Sequence, residues 1–130
     1  MSDESPRIGA ITWADLTVPD AERVRDFYRD VVGYASVDFD MGGYSDYGMN
    51  VPGTDTTVAG ICHARGANAD LPPVWLVYIT VADLAASVEK VARLGGRVLR
   101  APKSMGEWGS MAVIEDPAGA VAALIEPPRP

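Results

Sequence analysis

The chain has 130 residues, 48% of them hydrophobic, and a formal net charge of −7 at pH 7. This content fits one globular domain, and the negative charge disfavours nucleic acid and anionic membranes as partners. Cys62 is the only cysteine and His63 the only histidine, which excludes an internal disulfide and a zinc site with several histidines. Neither a membrane-length apolar run nor a basic-then-apolar leader is present, so we expect a cytoplasmic protein.

The first half of the sequence predicts a strand, a helix and three further strands. Alternating apolar residues predict a strand that ends at Val18, with Asp20 as the N-cap of the following helix and Gly33 at its end. The apolar stripe of this helix consists of Ala21, Val24, Phe27, Tyr28 and Val31. The charged residues between them, including Arg25, are expected on the exposed side. Strand-like stretches follow at residues 34–40, 44–51 and 57–63.

The second half repeats this order after a linker at residues 64–73 that is rich in Gly, Asn, Asp and Pro. The sequence TVPD at residues 17–20 returns as TVAD at residues 80–83, and the same 63-residue offset relates Gly33 to Gly96. Asp83 is the predicted N-cap of a helix with the stripe Leu84, Val88, Val91 and Leu94. Strands are then expected at residues 97–102, 108–115 and 120–126.

These elements predict an α+β fold built from two βαβββ modules. The modules span residues 8–63 and 74–127, and together they form one domain over residues 1–130. A module of this size has one helix to cover one side of its four-stranded sheet, so the other side must be buried or left as a cleft. We therefore expect an open, curled mixed sheet around a cleft, with the helices outside.

The motifs and their order resemble the vicinal oxygen chelate superfamily, which includes glyoxalase I, extradiol dioxygenases and bleomycin-resistance proteins. The resemblance covers residues 8–127 and rests on the repeat, on TVPD, on Phe27-Tyr28 in the first helix and on EDPAG before the last strand. The stretches WADLTVPD, WLVY and DPAGAV are similar to a glyoxalase-like bacterial subgroup without an assigned reaction. The resemblance implies a small-molecule ligand and a homodimer, which would also cover the exposed strand edges.

Metal-dependent members of this superfamily hold a divalent ion with His or Glu side chains from four strands. The resemblance places those four positions at Trp13, Gly60, Leu76 and Ala123. None of these side chains is a metal ligand, because divalent ions need oxygen, sulfur or imidazole nitrogen donors. We therefore expect neither a metal nor another cofactor.

Strand parity places Trp13, Asp15 and Thr17 on the cleft face, and the repeat adds Leu76, Tyr78 and Thr80. Trp13 could stack on a planar ligand, or it could only fill the space of the missing ion. Asp15 could act as a general base or hold a cationic ligand, with Tyr78 as a second catalytic group. Alternatively, Asp15 and Tyr78 have structural hydrogen bonds.

Further candidates lie near the strand ends. Cys62 shares the parity of Gly60 and either lines the cleft or is an ordinary buried thiol, whereas His63 has the opposite parity and is expected at solvent or a subunit contact. GGYSDYG and MGEWGSM occupy matching positions in the repeat and suggest either a flexible lid or ordinary hairpin turns. The candidate ligand-binding residues are Trp13, Asp15, Tyr44, Tyr47, Cys62, Leu76, Tyr78, Glu107 and Trp108.

These features favour a metal-independent protein that binds an aromatic or antibiotic-like metabolite, either cationic or neutral. One alternative is a metal-free isomerase, lyase or cyclase that uses Asp15 as a general base. Another is a glyoxalase-like or dioxygenase-like metalloenzyme whose ligands lie elsewhere, with Asp15, His63, Glu107 and Glu126 as the residues to consider. A third is a subunit with a vestigial cleft that pairs with a protein partner.

Overall fold

A computed structural model describes residues 7–128, and its elements repeat the order βαβββ twice. The first set is β1 (Ile11–Val18), α1 (Ala21–Val32), β2 (Ala35–Asp40), β3 (Ser45–Asn50) and β4 (Thr57–His63). The second set is β5 (Trp75–Thr80), α2 (Leu84–Arg93), β6 (Arg97–Ser104), β7 (Ser110–Glu115) and β8 (Val121–Glu126). The predicted α+β class and the order of its elements are confirmed.

The chain divides into two compact units. The first unit is residues 13–75, and the second consists of residues 76–128 together with residues 7–12. The strand order is β2-β3-β4-β1 in the first unit and β5-β8-β7-β6 in the second. In each unit one pair of neighbouring strands is parallel and the other two pairs are antiparallel. Whether the 130 residues act as one domain stays a prediction.

The internal repeat of the sequence is also present in the register of the parallel strands. Asp15 pairs with Gly60 on the parallel strands β1 and β4, and Tyr78 pairs with Ala123 on β5 and β8. The second pair follows the first by 63 residues on both strands, which is the offset found in the sequence. The two units therefore have the same register at their parallel pairing.

The apolar parity of the strands faces the helices. In the first unit Leu16 and Val18 of β1 form a buried cluster with Ala21 of α1 and Ile61 of β4. In the second unit the buried cluster contains Leu84 of α2 together with Ala112 and Leu124, and Ile79 and Val81 pack against it. Because side chains alternate along a strand, Trp13 and Asp15 lie on the face of β1 opposite α1, as predicted.

The predicted stripe of α1 is wrong at its edges. Phe27 and Val31 are 58% and 64% exposed, whereas Arg25, expected outside, lies over the ring of Tyr47 at 4.5 Å from its centroid. Successive helical residues are about 100° apart, so Arg25 lies about 40° from buried Ala21 and Phe27 about 120° from it. The long Arg25 side chain therefore covers the core, and Phe27 points away from it.

The ends of the two helices agree with the sequence-based predictions except at two residues. Gly33 ends α1 at φ 91°, a conformation that glycine adopts without strain, and the Asp83 side chain accepts a hydrogen bond from the Ala86 N–H at 3.1 Å. Asp20 stands at the N-cap of α1, but its side chain makes no capping bond. Leu94 lies beyond the end of α2 and is exposed, so its assignment to the apolar stripe is wrong.

Two loop segments contain a short 3-10 turn. Gly66–Asn68 lies in the predicted linker, and Gly106–Trp108 precedes β7, which places Trp108 outside the strand expected at residues 108–115. The reason is local, since Gly106 and Gly109 both have positive φ and bend the chain before β7 begins. Within residues 7–128, no helix has the length and apolar character needed to cross a membrane.

Candidate functional site

The face of the first unit opposite α1 brings together Trp13, Asp15, Gly60 and Cys62. A Cβ atom placed on Gly60 would lie 3.3 Å from Trp13 Cζ2 and 3.3 Å from Asp15 Cβ. The indole and the carboxylate-bearing side chain thus both lie against the backbone of Gly60. Cys62 follows on the same side of β4, where its register partner is Thr17.

Cys62 is a neutral thiol at this face. Burial raises its pKa well above the ordinary value, and the negative charges of Asp15 and Asp46 and a hydrogen bond to Asp46 add to the shift. A protonated thiol is a weak nucleophile and a weak metal ligand. Cys62 therefore lines the face as a small apolar group.

Asp46 is a residue that sequence reasoning missed. It lies almost buried on β3, where its Oδ1 accepts the His63 backbone N–H at 2.8 Å and is 3.3 Å from His63 Nδ1. It shares a parity with Gly48 and Asn50, on the face opposite Tyr47 and Met49. One feature of the sequence could have identified it: Asp46 is the one charged residue in the strand SDYGMN. A charged side chain is buried in a strand only when it has hydrogen-bonding or charged partners.

His63 lies within a group of aromatic rings and cations rather than free in solvent. Its ring is edge-on to Tyr44 at 5.7 Å and tilted to Tyr47 at 5.8 Å between centroids. The guanidinium of Arg65 lies 3.9 Å from the centroid of Tyr44. The expected parity of His63, opposite to Gly60, agrees with its contact to Tyr47 in the core under α1. The His63 ring therefore contacts the Asp46 carboxylate as well as the rings of Tyr44 and Tyr47 at the end of β4.

The predicted lid residues lie in different surroundings. Tyr47 is 6% exposed and belongs to the core under α1, which differs from the expected position at a strand entrance. Tyr44 is half-buried just before β3. Glu107 and Trp108 are exposed in the 3-10 turn before β7, with Trp108 68% exposed. The lid stays a prediction for Tyr44, Glu107 and Trp108.

In the second unit, Leu76 and Tyr78 are buried on the strand parity that faces away from α2. Tyr78 pairs with Ala123, which repeats the Asp15 and Gly60 pair of the first unit. Glu126 has a local partner, because its Oε1 accepts the Leu84 N–H at 2.9 Å at the start of α2. The binding roles of Leu76 and Tyr78 stay predictions.

The four positions expected to hold a metal do not fit one. Trp13, Gly60, Leu76 and Ala123 have no side-chain atom that ligates a divalent ion, and the indole of Trp13 lies against Gly60. In the described part of the chain, no group of three or more His, Cys, Asp or Glu side chains is arranged to bind a metal ion. At the position that the resemblance implies for the first ligand, the structure has the indole of Trp13.

Comparison of the sequence with known proteins identifies the family of this chain. The sequence model of the Glyoxalase/Bleomycin resistance protein/Dioxygenase superfamily matches residues 8–124. CFP32 of Mycobacterium tuberculosis, whose name is a provisional glyoxylase assignment, is 34% identical over 119 residues, which are 91% of this chain and 46% of that protein. The anthracycline biosynthesis protein DnrV of Streptomyces peucetius is 30% identical over 131 residues, 89% of this chain and 46% of DnrV. The chain thus spans about half the length of these curated relatives.

Solved structures share the fold. A methylmalonyl-CoA epimerase from Mycobacterium tuberculosis has a TM-score of 0.60 and 19% identity, with 99% of this chain and 94% of that chain covered. A Streptomyces coelicolor methylmalonyl-CoA epimerase variant in complex with 2-nitronate-propionyl-CoA has a TM-score of 0.60 and 16% identity, with 95% and 100% covered. At these identities the similarity concerns the fold alone.

Proposed function

Because the chain belongs to the glyoxalase, bleomycin resistance protein and dioxygenase superfamily, we propose that it is a metal-independent protein that binds a planar aromatic or antibiotic-like metabolite. The observation that carries this proposal is the position of the Trp13 indole against Gly60 and beside Asp15. The indole takes the place of a metal ligand in the family pattern. It offers a flat apolar surface instead of a coordination site.

The chemistry of this face indicates the type of ligand. Stacking of two aromatic rings contributes about 0.5–1.5 kcal/mol beyond the burial of their area. The carboxylate of Asp15 and the net charge of −7 favour a neutral or cationic compound over an anion. The name of DnrV assigns it to the biosynthesis of anthracyclines, which are planar polycyclic compounds, and this supports an aromatic ligand.

Metal independence is tested by elemental analysis. The protein is purified without chelator, dialysed against manganese, iron, nickel and zinc in turn, and its metal content is measured. We expect no stoichiometric ion. One bound ion per chain would overturn metal independence and turn attention to Asp15, His63, Glu107 and Glu126 as ligands of a metalloenzyme.

Ligand binding is tested by calorimetry with an anthracycline such as doxorubicin, which has a flat fused aromatic ring system and a cationic amino sugar. Replacing Trp13 by Ala removes the stacking surface, so we expect at least tenfold weaker binding. Leu94→Ala removes an exposed apolar side chain outside this face and serves as the control. Equal affinity of the Trp13→Ala variant and the wild type would contradict the proposed role of Trp13.

A second candidate is metal-free proton transfer by Asp15, favoured by its half-buried position beside Trp13. The structurally similar methylmalonyl-CoA epimerases suggest methylmalonyl-CoA as a first substrate to test. Exchange of its C2 proton for deuterium would be followed by NMR in the wild type, Asp15→Asn and Tyr78→Phe. Exchange that disappears in Asp15→Asn would support this candidate, and exchange at the wild-type rate in that variant would exclude Asp15 as the base.

We also propose a cytoplasmic homodimer. The strands β2 and β6 lie at one end of the strand order of their units, and edge strands of this kind are commonly covered by pairing. Sedimentation velocity over a hundredfold range of concentration would show a dimer. A monomer at every concentration would contradict this assembly.

A further inference from the structure

An open depression of about 420 Å³ lies on the helix side of the first unit. Ala59 is its most buried lining residue, Tyr28, Tyr34 and Trp75 line it with half-buried rings, and Val32 and Val58 are exposed at its edge. Ala14 also contributes, on the face of β1 opposite Trp13 and Asp15. The depression is therefore separate from the face described above.

The aromatic wall of this depression is held in place by a hydrogen bond. Trp75 Nε1 donates to the Tyr28 hydroxyl at 3.1 Å, and the two rings meet edge-on with centroids 5.2 Å apart. Because the Tyr28 oxygen accepts this bond, its own proton can be donated to a second partner. The wall thus combines apolar ring surface with one hydroxyl donor.

The side chains that line the depression favour a neutral ligand. The residues that line the depression have no charged side chain, so an ionic ligand would lose its hydration without gaining a counter-ion from the lining. Small-molecule sites commonly have volumes of about 300–1,000 Å³ and combine apolar walls with a few polar groups. The depression has both properties.

We propose that this depression is a second ligand site, which binds a neutral ring compound whose carbonyl oxygen accepts a hydrogen bond from Tyr28. The ring packs against Trp75 and Tyr34, and Val32 and Val58 flank the opening. This site takes neutral ring ketones and disfavours ions, whereas the opposite face, with its carboxylate, accepts cationic as well as neutral compounds. Substitutions at each site therefore distinguish the two for a neutral probe.

The test is calorimetry and amide NMR with 2-acetylnaphthalene as the neutral ketone probe. Val58→Arg places a charged side chain at the opening, and we expect at least tenfold weaker binding. Val37→Arg is the matched control, because Val37 and Val58 are 37% and 39% exposed. If Val58→Arg does not fold, Val32→Arg places the same charge on the other edge.

The hydroxyl is tested separately. Tyr28→Phe should weaken 2-acetylnaphthalene about fivefold to tenfold more than it weakens 2-ethylnaphthalene, the usual effect of one neutral hydrogen bond. The second compound lacks the oxygen and therefore measures only the loss of the bond between Trp75 and Tyr28. Amide shifts in the wild type should centre on Ala14, Ala59 and Trp75.

Three results would overturn the proposal. Binding that is lost in Trp13→Ala and kept in Val58→Arg would assign the probe to the opposite face. No binding to the wild type at the solubility limit would exclude this ligand class. A change from dimer to monomer in Val58→Arg, without probe binding to the wild type, would make the depression a subunit contact.

Discussion

Trp13 and Gly60 are packed against each other across neighbouring strands, with 3.3 Å between Trp13 Cζ2 and the position of a Cβ on residue 60. Gly60→Ala therefore adds a methyl group where little space remains, and overpacking of this kind costs about 1–3 kcal/mol. We expect the free energy of unfolding, measured with urea, to fall by an amount near the lower limit of this range, because the indole can shift by a few tenths of an ångström.

A double-mutant cycle shows whether Trp13 is the cause. In the Trp13→Ala background only the contact with Asp15 Cβ at 3.3 Å remains, so we expect the cost of Gly60→Ala to be smaller than in the wild type. The same cost in both backgrounds would show that Trp13 does not limit the space at residue 60.

Asp46 satisfies the His63 backbone N–H in an almost buried position. Asp46→Ala leaves that donor without its partner, so we expect a loss of about 1–3 kcal/mol in the free energy of unfolding. Asp46→Asn keeps an oxygen acceptor and should lose less. Asp55→Ala, at an exposed turn, is the control and should be neutral. A loss in Asp46→Ala no larger than in Asp55→Ala would contradict this role.

The raised pKa of Cys62 makes stability depend on alkaline pH. The thiol of the unfolded chain loses its proton near the ordinary value of 9.0, whereas burial and the charges of Asp15 and Asp46 keep the native thiol protonated. The free energy of unfolding falls with rising pH wherever the native state binds more protons than the unfolded state. Above pH 9 the Cys62 thiol should therefore lower it by up to about 1.4 kcal/mol per pH unit.

Urea unfolding of the wild type and Cys62→Ala at pH 7 to 10 measures this effect. The advantage of the wild type over the variant should be constant below the ordinary thiol pKa and should decrease above it. Parallel stability profiles throughout this range would show that the native thiol has an ordinary pKa.

The two helix N-caps provide a matched comparison. The Asp83 side chain accepts the Ala86 N–H, whereas the Asp20 side chain makes no capping bond. Asp83→Ala should therefore cost about 1 kcal/mol of stability, and Asp20→Ala only a few tenths. Both variants are measured by urea unfolding under the same conditions. Equal costs would mean that the capping bond at α2 does not contribute to stability.

The arrangement of Trp13 and Asp15 could be predicted because it depends on local periodicity. A strand has a side-chain period of two, so burial of Leu16 and Val18 against α1 fixes Trp13 and Asp15 on the other face. The 63-residue offset extended this reasoning to the register of Tyr78 with Ala123. The positions that lack metal ligands followed from the family resemblance.

The contacts of Asp46 and Tyr28 could not be predicted in the same way. Asp46 meets His63 across 17 residues, and Tyr28 meets Trp75 across 47 residues. These contacts depend on strand pairing and on the rotation of α1, which packs Arg25 against Tyr47 and leaves Phe27 exposed. An apolar stripe is consistent with several helix rotations that differ by a few tens of degrees, so packing selects among them.

Sequence patterns alone predicted the two βαβββ modules and the face that carries Trp13 and Asp15, and they showed that the four positions implied by the family resemblance have no metal-ligating side chain. Periodicity, turn residues and residue chemistry are local properties, which are read without coordinates. Tertiary packing places Trp13 against Gly60, raises the pKa of Cys62 by burying its thiol close to two carboxylates, and joins Tyr28 and Trp75 in one wall of a depression. Each of these depends on distances between side chains that are far apart in sequence, and those distances are set by packing.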